Sequence, residues 1–337
     1  MIRLVVAALL AAGCSGAPPL TAPASTGPAP TTPPSASPGR TSQLGKSAQA
    51  APTSGCATAH PLKPGRHRLR FGGLDRLFLL SVPDGPGPHP ILLDLHGLGS
   101  SAAQQSAYSR LAEVGSRRGY VVATPQAAQG RTGWTLPHTA GPDDTGFLAA
   151  LLDHLERGLC VDAHREFAAG MSYGAGMAAA LVCALQGRLA GVAPVAGVNI
   201  VRPCERPTPT TIVVFHGTAD RIVPYRGGHP FRDATGSLRT LADLVVLPPV
   251  ERTVEEWAHS LGCTSPTSGP AAGRFGTQVR VRSWKSCPGR AMLRLYTVDG
   301  GGHTWPGPIE VSRLGKTARD LDATALILNA FDHTPSR

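Results

Sequence analysis

Aromatic residues are scarce in this chain of 337 residues, where they make up 5% of the composition, and charged residues make up only 16%. Glycine and proline are abundant by contrast, with 40 and 32 residues. Such usage favours turns and unfolded segments, whereas 42% hydrophobic residues are enough for a sizeable core. The sequence therefore predicts a globular part joined to a turn-rich or unfolded part.

Several motifs and patterns are also missing. No stretch approaches the roughly 20 consecutive apolar residues that a membrane-spanning helix needs. The zinc-binding spacings C-x-x-C and H-E-x-x-H do not occur. No self-similar period of about 20 to 50 residues recurs, which excludes a repeat architecture. We therefore expect no transmembrane helix, no metal site and no cofactor.

The formal net charge is +10, which raises the question of a nucleic-acid partner. Its most concentrated segment places Arg66, Arg68 and Arg70 at every second position, between less polar residues. This alternation is typical of a strand with one solvated face. Because no recognised nucleic-acid-binding module accompanies the charge, we expect no nucleic-acid partner.

The first 14 residues have the pattern of an export signal. Met1, Ile2 and Arg3 precede an apolar run at residues 4–12, which ends in Gly13-Cys14. Residues 10–14 resemble a bacterial lipobox, although Ala11 stands where leucine is usual. The sequence predicts acylation of Cys14 and attachment to the outer face of the membrane through that lipid, with free secretion as the alternative.

The segment that follows has the composition of a disordered tether. Residues 17–55 contain only six residues other than Ala, Gly, Pro, Ser and Thr, so they cannot build a core. We predict a Pro/Ala/Ser/Thr-rich tether at residues 15–55 and a single catalytic domain at residues 56–337.

Six cysteines remain once Cys14 is set aside, which permits three disulfides in an exported protein. Six cysteines allow 15 connectivities. We predict only the pair Cys263 and Cys287, because the short segment between them is rich in turn residues.

Strand-like and helix-like segments alternate from residue 64 onward, which predicts an α/β fold. The candidate strands are residues 66–71, 77–82, 91–95, 120–124, 165–170, 191–196, 211–216 and 292–298, and the candidate helices are residues 101–118, 143–159, 172–186, 254–261 and 317–331. We expect a mostly parallel eight-stranded sheet with helices on both faces, opened by an antiparallel hairpin.

Residues 170–174 read Gly-Met-Ser-Tyr-Gly, a G-x-S-x-G motif centred on Ser172. The motif alone is weak evidence, because roughly 0.3 chance occurrences are expected at this composition. Its context is more specific, since it follows a candidate strand and begins a helix of small residues. That arrangement predicts a nucleophile elbow, in which a strained turn exposes the hydroxyl of Ser172.

A serine hydroxyl needs a neighbouring base, and the base needs a carboxylate to orient it. Asp220 follows the strand at residues 211–216, and His303 follows the strand at residues 292–298. Both would lie at the sheet edge where open α/β sheets bind ligands. We predict Ser172, Asp220 and His303 as a catalytic triad, with Asp299 as the rival acid.

An oxyanion hole needs two backbone donors near the nucleophile. We assign these to the N–H groups of Leu98, after the strand at residues 91–95, and of Tyr173, which follows the nucleophile. His96 precedes the nucleophile in the chain and is therefore interpreted as a brace for its loop, not as the base.

Six motifs in one order carry a family resemblance over about residues 66–310. They are Leu-His-Gly at 95–97, Asp-Asp-Thr-Gly-Phe at 143–147, Gly-Met-Ser-Tyr-Gly at 170–174, Ala-Pro-Val-Ala-Gly at 193–197, His-Gly-Thr-Ala-Asp at 216–220 with Val-Pro-Tyr at 223–225, and Gly-Gly-His-Thr-Trp-Pro-Gly at 301–307. The chain resembles the polyhydroxybutyrate depolymerase and feruloyl esterase family of secreted α/β hydrolases. The resemblance implies an α/β-hydrolase fold, serine-esterase activity and the same triad. Family members often have cysteine at the position of Leu98 and glycine at that of Ala175.

The substrate is less well determined by the sequence. We expect a small or oligomeric ester, with Trp305 and Trp134 either lining an acyl pocket or covering the core. Asp143 and Asp144 precede a helix and are interpreted as capping residues. Two other functions stay open: a serine peptidase on the same fold, and a catalytically silent surface lipoprotein.

Overall fold

The computed structural model describes residues 50–270 and 278–337. The predicted export signal, the predicted lipidation site Cys14 and most of the predicted tether lie outside the described residues. Within the described part of the chain, no helix is both long and apolar enough to span a membrane.

The described residues form ten strands and seven helices, besides short 3₁₀ turns. The strands are β1 (Gly65–Phe71), β2 (Leu74–Ser81), β3 (His89–Leu95), β4 (Val121–Pro125), β5 (Val161–Met171), β6 (Gly191–Val195), β7 (Thr211–Gly217), β8 (Thr267–Pro270), β9 (Val279–Trp284) and β10 (Leu293–Val298). The helices are α1 (Ala102–Ser109), α2 (Leu111–Arg117), α3 (Asp144–Gly158), α4 (Tyr173–Ala184), α5 (Gly236–Ala242), α6 (Val250–Ser260) and α7 (Ala323–Asp332).

All ten strands belong to one sheet in the order β1-β2-β4-β3-β5-β6-β7-β10-β9-β8. The six central strands, from β4 to β10 in that order, are parallel, and the pairs at both ends of the sheet are antiparallel. Strands β4, β6 and β7 are buried at every position and consist mostly of apolar residues, because helices cover both faces of the sheet there. Because the central strands are parallel, their carboxyl ends meet at one edge of the sheet, where α/β proteins place their ligand-binding sites.

Two hydrophobic cores cover the two faces of the sheet. One core contains Ile91, Leu93 and Leu95 of β3 together with apolar residues of α3, α4 and α6. The other contains Leu92 of β3 and apolar residues of α2 and α7. Successive residues of a strand point to opposite faces, so β3 contributes to both cores. The predicted α/β-hydrolase fold with helices on both faces is confirmed.

The expected number of strands is wrong, since the sheet has ten strands and not eight. Sequence patterning missed β8, whose four residues are all exposed, and β9, in which arginine alternates with apolar residues. Neither is an apolar run, because β8 is the exposed edge strand and β9, which lies beside it, is only partly buried. The single helix expected at residues 101–118 is also two helices, divided at Arg110, whose φ is 56°.

Three disulfides cross-link the described residues. They join Cys56 to Cys160, Cys183 to Cys204 and, as predicted, Cys263 to Cys287. Such usage is typical of proteins that fold outside the reducing cytoplasm. The ordered domain begins before Cys56, because the N–H of Thr53 donates to the carbonyl of Val161 at 3.1 Å. The predicted tether boundary at residue 55 is therefore a few residues too late.

Candidate active site

Ser172 occupies a strained turn between β5 and α4. Its φ of 57° and ψ of −122° are unusual for a residue with a side chain, and such a conformation costs on the order of 1–3 kcal/mol. The surrounding structure holds it in place, since the N–H of Ser172 donates to the carbonyl of Val195 on β6 at 2.8 Å. This is the geometry of a nucleophile elbow.

The glycines around Ser172 are required by close backbone contacts. A Cβ atom on Gly174 would collide with the carbonyl oxygen of Leu95, and one on Gly170 would collide with that of Gly174. A Cβ atom on Gly97 would lie 3.2 Å from the Cβ of Ser172. The end of β3 therefore lies directly against the turn that carries Ser172.

Asp220 and His303 meet at the same edge of the sheet. Each lies in a loop that follows one of two paired parallel strands, β7 and β10. The Nδ1–H of His303 donates to Oδ2 of Asp220 at 2.8 Å. The other carboxylate oxygen accepts the N–H groups of Ile222 and Val223 at 2.9 and 2.8 Å. Both side chains are buried, so the pair is held in one geometry.

The pKa of Asp220 reflects two opposing effects. Burial alone would raise it, but the charge of His303 and hydrogen bonds from His216 and His303 lower it below its ordinary value. The carboxylate is therefore ionised at neutral pH, as an acid that orients a base must be.

The rival acid, Asp299, points elsewhere. Its carboxylate receives two hydrogen bonds of 3.0 Å from the guanidinium of Arg280 on β9. Of the two acids that the sequence left open, the structure brings Asp220 to His303.

Each predicted oxyanion donor adjoins a residue of the Ser172 turn: Tyr173 follows Ser172 itself, and Leu98 follows Gly97, which lies against Ser172. Tyr173 is the first residue of α4, and the first N–H groups of a helix have no partner within it. Leu98 follows β3 in a loop fixed by a 2.6 Å hydrogen bond from the N–H of Gly99 to the carbonyl of Thr132. A Cβ atom on Gly133 would lie 2.8 Å from Leu98 Cδ1 and 3.1 Å from Tyr173 Cδ1. Both side chains thus form an apolar surface against the loop at residues 126–142.

His96 uses both ring nitrogens for structure. Its Nδ1–H donates to the carbonyl of Gly97 at 2.8 Å, and its Nε2 accepts the N–H of Ala127 at 3.0 Å. Burial lowers its pKa, which favours this neutral form. His96 therefore links the loop that contains Leu98 to the loop that follows β4. Neither of its ring nitrogens is free for proton transfer.

Trp134 and Trp305 are each only 2% exposed. The indole N–H of Trp134 donates to the carbonyl of His96 at 2.8 Å, and that of Trp305 donates to Oγ1 of Thr324 at 3.0 Å. These contacts favour the interpretation that both tryptophans hold loops in the core. The exposed apolar surface beside Ser172 comes from Leu98 and Tyr173 instead.

Two features of the site were missed by sequence reasoning. The residue that caps α3 is Asp143, not Asp144. The carboxylate of Asp144 instead pairs with Arg76 of β2 at 2.5 Å and accepts the N–H of Thr135 at 2.6 Å. The other missed residue is His216, whose Nε2 lies 3.3 Å from Oδ2 of Asp220. Asp144 and His216 each belong to a motif that the sequence analysis quoted. Neither motif indicates that Asp144 pairs with Arg76 or that His216 contacts Asp220.

The strand order and the turn at Ser172 define this protein as an α/β hydrolase. Acetyl xylan esterase from Aspergillus awamori has the same fold, with a TM-score of 0.55 over 80% of this chain and 99% of that chain at 13% identity. No protein-family model matches the chain.

Curated relatives identify the family. "Putative esterase NocK" of Nocardia uniformis subsp. tsuyamanensis is 31% identical over 252 residues, which cover 71% of this chain and 73% of that protein. Feruloyl esterase B of Piromyces equi is 30% identical over 227 residues, 64% of this chain but only 39% of that protein. Feruloyl esterase C of Emericella nidulans is 28% identical over 189 residues, 53% of this chain and 66% of that protein. The chain belongs to the feruloyl esterase-like family and is a carboxylic ester hydrolase.

Proposed function

We propose that the protein is an exported serine esterase that hydrolyses small or oligomeric esters through an acyl-Ser172 intermediate. The observation that carries the proposal is the buried 2.8 Å hydrogen bond between His303 and Asp220 at the sheet edge where Ser172 lies. That bond places the proton on Nδ1 and leaves Nε2 of His303 as the basic nitrogen.

In the first half of the reaction, Nε2 of His303 takes the hydroxyl proton of Ser172 while Oγ attacks the ester carbonyl. The oxyanion that forms accepts hydrogen bonds from the N–H groups of Leu98 and Tyr173. Collapse of the tetrahedral intermediate breaks the ester C–O bond, and His303 returns the proton to the departing alcohol. A water molecule then repeats the sequence on the acyl-enzyme and releases the carboxylic acid.

The surface beside Ser172 supports an ester with an apolar or aromatic acyl group. Leu98 is 39% exposed, and the ring of Tyr173 is half-buried next to it. An aromatic acid such as a hydroxycinnamoyl group would bury its ring against these side chains. Relatives named as feruloyl esterases agree with that chemistry.

The place of action that we propose is the outer face of the cell membrane, with the protein held by a lipid on Cys14. The three disulfides support export. The lipobox-like segment before Cys14 is the support for the anchor.

Labelling with a fluorophosphonate probe tests the mechanism. We expect stoichiometric labelling of Ser172, and none in Ser172→Ala. Ser312→Ala, at an exposed serine, is the matched control and should label fully. A wild-type protein that stays unlabelled would support the catalytically silent lipoprotein instead.

Rates on p-nitrophenyl acetate, methyl ferulate, hydroxybutyrate oligomers and peptide amides test the substrate class. We expect the highest kcat/KM on the aryl or short-chain esters. Faster cleavage of peptide amides would identify a serine peptidase.

A further inference from the structure

His216 is a second histidine on the carboxylate of Asp220. It is the second-to-last residue of β7, which is buried along its whole length, and it lies four residues before Asp220. Its Nε2 is 2.9 Å from the carbonyl oxygen of Val223 and 3.3 Å from Oδ2 of Asp220. Both neighbours are acceptors, so Nε2 carries the proton and shares it between them.

The rest of the His216 ring has no partner with which it could exchange a proton. Its Nδ1 is buried and has no hydrogen-bond partner among the described residues. The ring packs edge-on against Tyr225, with centroids 5.8 Å apart. His216 therefore has no route for carrying a proton to or from substrate.

With His216 included, the carboxylate of Asp220 is fully occupied. Oδ1 accepts two backbone N–H groups, and Oδ2 lies between Nδ1 of His303 and Nε2 of His216. A buried carboxylate needs such donors, because desolvation otherwise favours its neutral form. The donors come from two sides of the carboxylate, which prevents it from rotating.

His216 also fixes the loop that carries Asp220. Its bond to Val223 ties the far side of that loop back to the end of β7. On the near side, the N–H of Ala219 donates to the carbonyl of Gly301 at 2.9 Å, in the loop that carries His303. A Cβ atom on Gly217 would collide with the same carbonyl, so the two loops are in direct contact.

We propose that His216 is a positioning residue for catalysis, which holds the Asp220 carboxylate ionised and aligned with His303 by donating from Nε2. This inference rests on the proposed function. The role is specific to the donor atom, so side chains that place an N–H at the same point should replace it and others should not.

Kinetics of three variants test the role. His216→Gln keeps an N–H near the position of Nε2, His216→Asn is too short to place one there, and His216→Leu has none. We expect kcat on p-nitrophenyl acetate to fall about 10- to 100-fold in the Leu and Asn variants, with little change in KM. His216→Gln should stay within about threefold of wild type. Equal losses in Gln and Asn variants of unchanged Tm would overturn the proposal.

A double-variant comparison separates positioning from general support of the fold. If His216 acts through Asp220, then His216→Leu should cost no further activity in an Asp220→Asn background. The same fold loss in both backgrounds would contradict the proposal. Should His216→Leu fail to fold, His216→Asn takes its place in the comparison.

The low-field proton resonance of the His303–Asp220 hydrogen bond gives a readout that does not depend on turnover. We expect it in wild type and in His216→Gln, and expect it shifted or broadened in His216→Asn. An unchanged resonance in His216→Asn would overturn the inference about His216. Failure of the Ser172 labelling experiment would instead overturn the proposed function, so the two failures are distinguishable.

Discussion

Nδ1 of His303 lies 2.8 Å from Oδ2 of Asp220, although 83 residues separate the two in the chain. The contact exists because β7 and β10 are neighbouring parallel strands whose following loops leave the sheet at the same edge. The histidine is therefore oriented by a buried carboxylate.

Replacing Asp220 by Asn should therefore lower kcat by about three to four orders of magnitude, because His303 loses the partner that fixes its tautomer. Steady-state rates on p-nitrophenyl acetate measure the loss. Asp299→Asn is the matched control and should stay within about twofold, since it removes only a surface pair with Arg280. A larger loss in Asp299→Asn would make Asp299 the acid.

Gly174→Ala should damage the elbow. The added methyl group has no room against the carbonyl oxygen of Leu95, so we expect a loss of about 1–3 kcal/mol in the free energy of unfolding, together with most of the esterase activity. Urea unfolding and initial rates measure the two effects. Gly269→Ala, where no atom lies within 4 Å of the new Cβ, should change the free energy by less than about 0.5 kcal/mol. Equal behaviour of the two variants would contradict the steric argument.

Asp94→Asn should change how stability depends on pH. Asp94 lies within β3, and burial raises its pKa from 3.8 to about 6, although Ser109 and Gln105 donate to it and oppose the shift. The folded state thus binds this proton more tightly than the unfolded state. Stability from this group is present at low pH and is lost as pH rises through the window from 3.8 to about 6.

Urea unfolding between pH 4 and 7 measures this effect. Relative to Asp94→Asn, the wild-type protein should lose about 2 kcal/mol of unfolding free energy across that range. Parallel curves for the two proteins would show that Asp94 does not titrate in this window.

Arg76→Met should destabilise the protein by about 3–5 kcal/mol, because it leaves the carboxylate of Asp144 buried without its cation. Each partner of this ion pair is only 1% exposed. Adding Asp144→Asn should recover part of the loss, since the amide oxygen can still accept the N–H of Thr135. The control is Arg70→Met, in an exposed pair with Asp75 on the same hairpin, with an expected cost below about 1 kcal/mol. If the double variant recovers no stability, the buried charge of Asp144 is not the cause of the loss.

Cys14→Ala tests the proposed anchor. Loss of the acylation site should move the protein from the membrane fraction into the medium, because the lipid on Cys14 is the attachment that we propose. Fractionation and immunoblotting measure the distribution. Continued membrane retention of the variant would contradict lipidation at Cys14.

The elbow and the two strand-end loops could be predicted because they depend on local patterns. Gly170 and Gly174 flank Ser172 at a strand-to-helix junction, and Asp220 and His303 each follow an apolar run. The edge strand β8 could not be predicted in the same way, since its four residues are all exposed and form no apolar run. In the neighbouring strand β9, arginines interrupt the apolar residues, so it has no continuous apolar run either.

The sequence by itself determined the fold class, the order of the central strands along the chain and the four strand ends that hold the proposed nucleophile, oxyanion donor, acid and base. Those features can be read from consecutive residues because they depend on short-range steric limits and on runs of buried apolar residues. Only the tertiary structure shows which acid meets His303, because Asp220 pairs with that histidine whereas Asp299 pairs with Arg280 of β9. It also decided that Arg76 and Asp144 form a buried pair, because residues 68 positions apart meet only when the chain folds. The contact between His216 and Asp220 spans only four residues, but it depends on the course of the loop after β7, which the sequence pattern does not specify.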